Sequence, residues 1–440
     1  MHTDPHYYPS ASRRMVTFGK RGMVATSQSL AAQVGVEILR KGGNAIDAAI
    51  ATAAALTVVE PTSNGIGSDA FALVWVRGEL HGLNASGPAP KSISCDAVKS
   101  LGHNEMPAHG LVPVTVPGAP GAWAALSERF GKLSFKQLLA PAIELAENGF
   151  AVSPVASQLW DSAVERYGQY GTDEFTPWFT HFAPNGQAPK AGDVWRSPDM
   201  AKTLRDIASS NGDAFYQGNL ADAMDAFSRQ HGSFLRKEDL KSFKPEWVKP
   251  ISVRYRGHDI WEIPPNGSGL IVLQALGILE SMGDDSKDQV ESLHRRIEAT
   301  KLGYVDGLNY ITERSSMQPS VEQMLSREYL SQRAALIDQD AIDPIHGNPL
   351  KGGTVYLATA DDEGNMVSFI QSNFEGFGSG IVVPGTGISL QNRGWSFSLD
   401  PQHPNALAPG KRTYHTIIPG FITKDNQAVG PFGVMGGYMQ

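Results

Sequence analysis

The sequence predicts a mixed α/β (α+β) fold in which helices pack on the faces of largely antiparallel sheets. Three observations point there. Period-two apolar runs bounded by turn residues occupy both ends of the chain, and helically spaced segments fill the middle. No internal repeat or low-complexity tract interrupts that order. Runs of strands separated from runs of helices are the mark of segregated layers, not of alternating βαβ units.

The elements follow in chain order. Thr26-Ser27 is placed to cap a helix over 28–41 with Leu30, Val34 and Ile38 on one face. Gly42-Gly43 ends it. Asn44 caps the next helix, 45–59, which stops before Pro61 and is built from alanine, threonine and small β-branched residues, so it can approach a neighbour closely. Residues 71–76, the dipeptide Arg77-Gly78 and residues 79–84 read as a hairpin. Helical spacing then recurs over 121–130, 135–148, 200–211 and 219–231, with 177–192 reading as a Pro/Gly-rich loop. A strand is expected over 248–255, a turn at 264–269, and helices over 270–282 and 293–312. Residues 344–351 read as an exposed polar segment. From Thr354 the texture becomes β, with strands over 355–360 and 366–370 around an acidic turn, and over 417–423 and 428–432 around a second one. The chain stops at Gly436-Gly437-Tyr438-Met439-Gln440. A Gly-Gly turn normally leads into another element, so the C-terminal part reads as truncated.

Composition narrows the function classes. The chain has 440 residues, 41% of them hydrophobic and 19% charged, which suits a large core without disulfides. A single cysteine, Cys95, excludes an internal disulfide and a cysteine-rich metal site. A net charge of -8 gives no electrostatic case for nucleic acid. The N-terminus lacks an apolar signal core, and no window has the apolar length of a membrane span. The expectation is a soluble, cytoplasmic protein without a nucleic-acid or membrane partner. His294 and Glu298 stand four residues apart on a helix, a metal-binding spacing, but no third ligand is near in sequence, and packing is the plainer reading. Gly65-Ile66-Gly67 lacks the strand–helix context of a dinucleotide loop. No metal and no cofactor is expected.

One stretch carries chemistry of its own. In Gly352-Gly353-Thr354-Val355-Tyr356-Leu357 two glycines precede a threonine that opens an apolar run. Cleavage before Thr354 would put a free α-amine beside its hydroxyl, a base and a nucleophile on one residue. An α-amine has a pKa of about 7.7–8.0, near what a general base needs at neutral pH. The glycines would ease the strained geometry of an N-to-O acyl shift. Read alone, Thr354 is more simply a strand-opening threonine, and the glycines can be plain loop residues.

The ordered motifs decide between these. Residues 35–49 (Gly35-Val36-Glu37 through Gly42-Gly43-Asn44-Ala45 to Ala49), Glu60-Pro61 with Gly65-Ile66-Gly67, Val116-Pro117-Gly118, Pro141-Ala142-Ile143 with Gly149-Phe150, and Pro264-Pro265-Asn266-Gly267-Ser268-Gly269 come first. Gly353-Thr354, Phe377-Gly378-Ser379-Gly380-Ile381, Pro384-Gly385-Thr386-Gly387-Ile388, Lys411-Arg412 and Gly436-Gly437 follow. Together they resemble the γ-glutamyltransferase (γ-glutamyltranspeptidase) family of N-terminal-nucleophile (Ntn) hydrolases over nearly the whole chain. The resemblance implies a four-layer αββα sandwich and a precursor that cuts itself between Gly353 and Thr354. Residues 1–353 would form the large subunit and 354–440 an incomplete small subunit of one Ntn-hydrolase domain, and a dimer of such pairs is left open.

The resemblance also assigns roles. Thr354 is the nucleophile, and the backbone N–H groups at Gly436 and Gly437 hold the oxyanion, though a plain glycine turn fits them too. Gln371 and Asn373 match a threonine and an asparagine near the nucleophile; Asn373 also reads as a satisfied loop amide. His415 and Thr416 fall where the family has two serines beside the acyl pocket, as substrate contacts or structural hydrogen-bonders. Two departures bear on substrate. Ser86 stands where the family has a carboxylate-binding arginine, and Arg393 and Ser396 stand where it holds the α-ammonium. An arginine repels an ammonium but reads a carboxylate as a planar fork. The chain therefore looks closer to the divergent cephalosporin-acylase-like branch, with a glutaryl-type acyl group; pairing of Arg393 with a surface acid is the alternative. The implied activity is that of a self-processing acyltransferase or amidohydrolase on γ-glutamyl (glutathione-type) or glutaryl-type amides, with water or an amine or peptide as acceptor. A non-catalytic, uncleaved family member that binds metabolites or a partner is the rival reading.

Overall fold

The computed structural model describes residues 16–283, 289–342 and 353–436. The expected exposed segment 344–351 lies outside them, as does Gly437. Among the described residues fourteen strands run in chain order: β1 Gly22–Thr26, β2 Asp69–Val76, β3 Glu79–Ala85, β4 Phe150–Ala151, β5 Val194–Trp195, β6 Glu246–Val248 and β7 Ile251–Tyr255, then β8 His258–Glu262, β9 Gly353–Asp361, β10 Met366–Phe374, β11 Ile381–Val383, β12 Ile388–Leu390, β13 Gly420–Lys424 and β14 Gln427–Phe432. Two antiparallel sheets dominate. One has six strands in the order β1-β9-β10-β2-β3-β6, the other four in the order β14-β13-β8-β7.

Strand alternation sorts the side chains of the larger sheet into two layers. Ala70, Ala72, Val74, Val355, Leu357, Val367 and Phe369 join the core under helix Ala45–Val59. Their sequence neighbours Phe71, Leu73, Tyr356 and Ile370 join Trp261, Ile263 and Phe421 between the two sheets. Helix Gly269–Met282 covers the outer face of β7 and β8, with helix Gln289–Tyr310 against it. Helices, sheet, sheet and helices make four layers, as the resemblance implies.

Helix Ala45–Val59 is buried at every one of its fifteen positions. Its alanines let the strands approach closely, and Asn44 and Asp47 form a reciprocal capping box at its start. The Asp361 carboxylate in the β9–β10 turn accepts from the Ala45 N–H (2.9 Å), so the turn is tied to the positive end of that helix. Hairpins β2–β3, β7–β8 and β13–β14 each turn on two residues with positive φ: Arg77-Gly78, Arg256-Gly257 and Asp425-Asn426.

The structure corrects several local expectations. The first helix spans Ser29–Arg40 and is capped by Gln28, not by Thr26-Ser27; the Ser27 hydroxyl donates to Glu60 instead (2.6 Å). Residues 248–255 are two strands, because Lys249-Pro250 carries the chain from the larger sheet to the smaller one. Pro177 does not hold a loop open; it is the second residue of helix Thr176–Phe182, where a missing N–H is harmless. Among the described residues no helix is long and apolar enough to cross a membrane.

Candidate functional site

Thr354 sits near the start of β9, 4% exposed, with its side chain on the inter-sheet face. Opposite it the β9–β10 ladder shifts register between Gln371 and Phe374, a bulge that re-aims the side chains around it. Thr354 Oγ1 and Ser372 Oγ are hydrogen-bonded at 3.1 Å. Ser372 pairs across the sheet with Asp69 on β2. The three side chains thus form a row on one face of three adjacent strands.

A charged cluster hangs on Asp69. His415 Nε2 lies 3.1 Å from Asp69 Oδ2, and Arg393 Nε lies 3.6 Å from the same oxygen. Arg393 Nη1 donates to Thr416 Oγ1 (2.8 Å), and its guanidinium stacks over the Phe374 ring at 4.2 Å. All four polar residues are essentially shut off from solvent. Burial pushes the Asp69 carboxyl up to about 7, against the pull of Arg393. Burial, with the Arg393 charge adding to it, pushes His415 well below its usual value, so the imidazole is neutral. Its Nδ1 faces the Ile417 N–H (3.5 Å), which leaves the proton on Nε2, donating to Asp69. Backbone holds this histidine: the His415 N–H donates to Asn266 O and its carbonyl accepts from the Ser268 N–H. That is what the Pro264–Gly269 motif does here. Arg393 therefore pairs with an acid, but a buried one, not one on the surface.

The other expected residues divide. Asn373 is buried beside the row; its Oδ1 accepts from Ser68 (2.9 Å), and its Nδ2 has no hydrogen-bond partner among the described residues. Gln371 points the other way, toward the helix layer. It donates to Ala53 O (2.9 Å) and Asn64 Oδ1 (2.6 Å) and accepts from Trp123 Nε1 (3.2 Å). Ser372, its neighbour, faces Thr354. Ser86 is locked in an amide network with Asn84 and Asn266. Gly353 pairs with Phe374.

A cleft of about 530 Å³ opens over Thr354 and is lined by Glu60, Ser63, Arg166, Glu375, Gly376 and Gly436 among others. Gly436 thus shares a cavity with the threonine hydroxyl. Burial raises the carboxyls of both Glu60 and Glu375. Among the described residues no cluster of three or more His, Cys, Asp or Glu side chains is placed to hold a metal ion. His294 contacts Asp338 O, while Glu298 pairs with Lys301 and accepts from the Ile342 N–H. Asp69, Ser372, Arg166 and Glu375 escaped the sequence reading. Ser372 was within reach of it, because period two from Ile370 puts it on the inter-sheet face.

The Gamma-glutamyltranspeptidase family model matches residues 31–440. The chain belongs to the γ-glutamyltranspeptidase family. It is 36% identical over 426 residues to the glutathione hydrolase-like YwrD proenzyme of Bacillus subtilis, covering 95% of this chain and 79% of that one. It is 35% identical over 424 residues to the oxamate amidohydrolase proenzyme of Klebsiella pneumoniae, covering 94% and 79%. Among solved structures, cephalosporin acylase from Bacillus halodurans superposes with a TM-score of 0.95 at 59% identity, covering 100% of this chain and 82% of that one. Family membership, the acylase-like branch and the layered fold agree with the reading of the sequence. This γ-glutamyltranspeptidase family member is of the self-processing amidohydrolase type.

Proposed function

We propose that the chain matures by cleavage before Thr354 and then transfers acyl groups from amides through a threonine ester. The Thr354 Oγ attacks the amide carbonyl carbon while its α-amine takes the hydroxyl proton, directly or through water. The C–N bond breaks, the leaving amine takes the proton, and the acyl group remains as an ester on Thr354. Water or a second amine then attacks that ester, the proton path reverses, and the hydroxyl is restored. Ser372 would orient the Thr354 hydroxyl, and the N–H groups at Gly436 and Gly437 would meet the oxyanion. Each such donor is typically worth about 2.7–4 kcal/mol of barrier.

The observation that supports this most is the Thr354 hydroxyl, held 3.1 Å from Ser372 at the floor of a solvent-open cleft that also contains Gly436. For the acyl group we favour a chain ending in a carboxylate, glutaryl- or γ-glutamyl-type, with Arg393 as the cation nearest the buried end of the row. Acid-terminated acyl groups suit a cluster whose one carboxyl, Asp69, is pushed toward neutrality. The processed pieces act together on a small amide with water or an amine acceptor, and a dimer of such pairs is compatible with this.

The test is maturation itself. Purified wild type should give two fragments on a denaturing gel, the smaller beginning Thr-Val-Tyr-Leu by Edman sequencing, while Thr354→Ala gives one band and no acyl turnover. Wild type that turns over amides as a single uncut chain would end this reading.

A further inference from the structure

Self-cleavage faces a difficulty that later turnovers do not. In the mature protein the α-amine of Thr354 would take the hydroxyl proton. In the uncut chain that nitrogen is the amide between Gly353 and Thr354, whose lone pair is drawn into the peptide bond and cannot serve as a base. The first attack therefore needs another proton acceptor.

Among the described residues, the carboxyls of the cleft and its floor are Glu60, Glu375 and Asp69. Glu60 accepts from the Ser27 hydroxyl (2.6 Å), and Glu375 lies 3.1 Å from Arg166 and 3.6 Å from His109. A connected path leads instead to Asp69. Thr354 Oγ1 lies 3.1 Å from Ser372 Oγ, and Ser372 is the cross-strand partner of Asp69. The Cβ atoms of such a pair stand about 4.5–5.5 Å apart, near enough for a proton to pass directly or through one water.

The bulge fixes this path. Phe374 has φ 80°, uncommon for a residue with a side chain. Its N–H donates to Ser372 Oγ at 2.8 Å, while its ring lies 4.2 Å from the Arg393 guanidinium. With Thr354 donating as well, Ser372 takes two hydrogen bonds on its oxygen and has one proton to hand on. The far end is held from several elements. Asp69 Oδ1 accepts from the Gly87 N–H (3.4 Å), and Oδ2 faces His415 Nε2 and Arg393 Nε. Arg412 adds a more distant positive charge. The Tyr216 hydroxyl, another titratable neighbour, is occupied by Pro117 O and the Gly121 N–H. Burial outweighs the cations and sets the Asp69 carboxyl at about 7, so at neutral pH it can take a proton and give it back.

We propose that Asp69, acting through the Ser372 hydroxyl, is the proton acceptor that starts self-cleavage. This rests on the maturation reading above. Thr354 Oγ attacks the Gly353 carbonyl carbon, its proton moves to Ser372, and the Ser372 proton moves to Asp69. The C–N bond then breaks, a proton returns along the path to the Thr354 nitrogen, and Gly353 is left as an ester on the threonine. Water hydrolyses that ester to the Gly353 carboxylate and the free hydroxyl. From then on the released α-amine is the base.

The test follows full-length precursor made by cell-free translation, read as loss of the uncut band on denaturing gels from pH 5.5 to 8.5. The ionised carboxyl is the active form, so the wild-type rate should rise about tenfold per unit below pH 7 and level off above it. Asp69→Asn should slow cleavage by roughly 10²–10⁴-fold, the usual worth of a positioned base, and lose the inflection. Asp69→Glu should keep an inflection, and Ser372→Ala should slow cleavage by about tenfold or more. Glu60→Gln and Glu375→Gln, whatever their rates, should keep the wild-type inflection. A packing defect lowers the rate alike at every pH, so the inflection separates a proton acceptor from a strut. Asp69→Asn slowed with its inflection intact, or not slowed, would overturn the proposal while maturation stands. So would a wild-type rate flat through neutrality, or an inflection lost in Glu60→Gln or Glu375→Gln. Should Asp69→Asn fail to fold, the Asp69→Glu inflection and the Ser372→Ala rate decide. Wild type left uncut at every pH would overturn the maturation reading and this proposal with it.

Discussion

Replacing Gln371 by leucine separates a substrate contact from a structural strut. The side chain makes three hydrogen bonds, to Ala53 O, Asn64 Oδ1 and Trp123 Nε1, and all of its surroundings are buried. Ala53 O lies within helix Ala45–Val59 and keeps its place in the helix ladder. The Trp123 N–H and Asn64 Oδ1 have no such fallback, so Gln371→Leu strands two buried polar groups. Each costs about 1–3 kcal/mol, which predicts a loss of about 2–6 kcal/mol of stability. The measurement is urea unfolding followed by tryptophan fluorescence in the uncleaved Thr354→Ala background, where unfolding involves a single chain. Steady-state kinetics in the cleavable background should show KM within about twofold of wild type for both acyl groups, since Gln371 faces away from the cleft. An unmoved unfolding midpoint with KM raised tenfold would refute the assignment and return Gln371 to the substrate.

Two other perturbations follow from the geometry. The Asp69 carboxyl, raised to about 7 by burial, takes up a proton as pH falls through that value, which removes its charge from beside Arg393. The kcat/KM ratio of a glutaryl anilide to an uncharged butyryl anilide should therefore rise severalfold from pH 8 to pH 6, and Asp69→Asn should flatten it; a flat wild-type ratio speaks against the cluster as the acyl-carboxylate reader. Stability carries the same sign, because native Asp69 holds a proton that the unfolded chain releases near pH 3.9, so the fold weakens as pH climbs toward 7. At Gly67 an added Cβ would sit 2.3 Å from the Ser389 carbonyl oxygen, whereas at Gly65 its nearest neighbour would be 3.3 Å away. Gly67→Ala should lower stability by roughly 1–3 kcal/mol, and Gly65→Ala by clearly less; equal effects in chemical denaturation would show that the backbone approach is not what demands glycine.

How much of this was legible in the sequence depends on the range of the interaction. Helix Ala45–Val59, its Asn44 cap and the Arg77-Gly78 hairpin are local facts, set by side chains and turn residues within a few positions, and they were read with accurate bounds. Helix Pro154–Gly168 was missed. It buries Ala156, Trp160, Ala163 and Tyr167 but leaves Val155 and Leu159 exposed, so its apolar stripe is blurred. Arg166 was lost with it. Gln371 and Ser372 illustrate a parity error: a one-residue slip on a strand exchanges the two faces of the sheet. Asp69 could not be weighed at all, because the histidine that gives it meaning lies 346 residues away. The Gly65–Gly67 pair, part of the family motif and unsuited to a nucleotide loop, is where one backbone crosses another: Gln391 N–H donates to Gly67 O at 3.2 Å.

The six-stranded sheet places β9 and β10 between β1 and β2, and the smaller sheet sets β13 and β14 beside β8. Strands from both sides of the Gly353–Thr354 bond are thus woven through each other. Neither piece would own either of the two larger sheets, so a cut at that bond would have to come after folding and would not release its products. Maturation is therefore a one-way step. Once nicked and unfolded, the pair must find each other again by diffusion, and recovery on dilution from denaturant should fall with concentration in a way the uncut chain does not share.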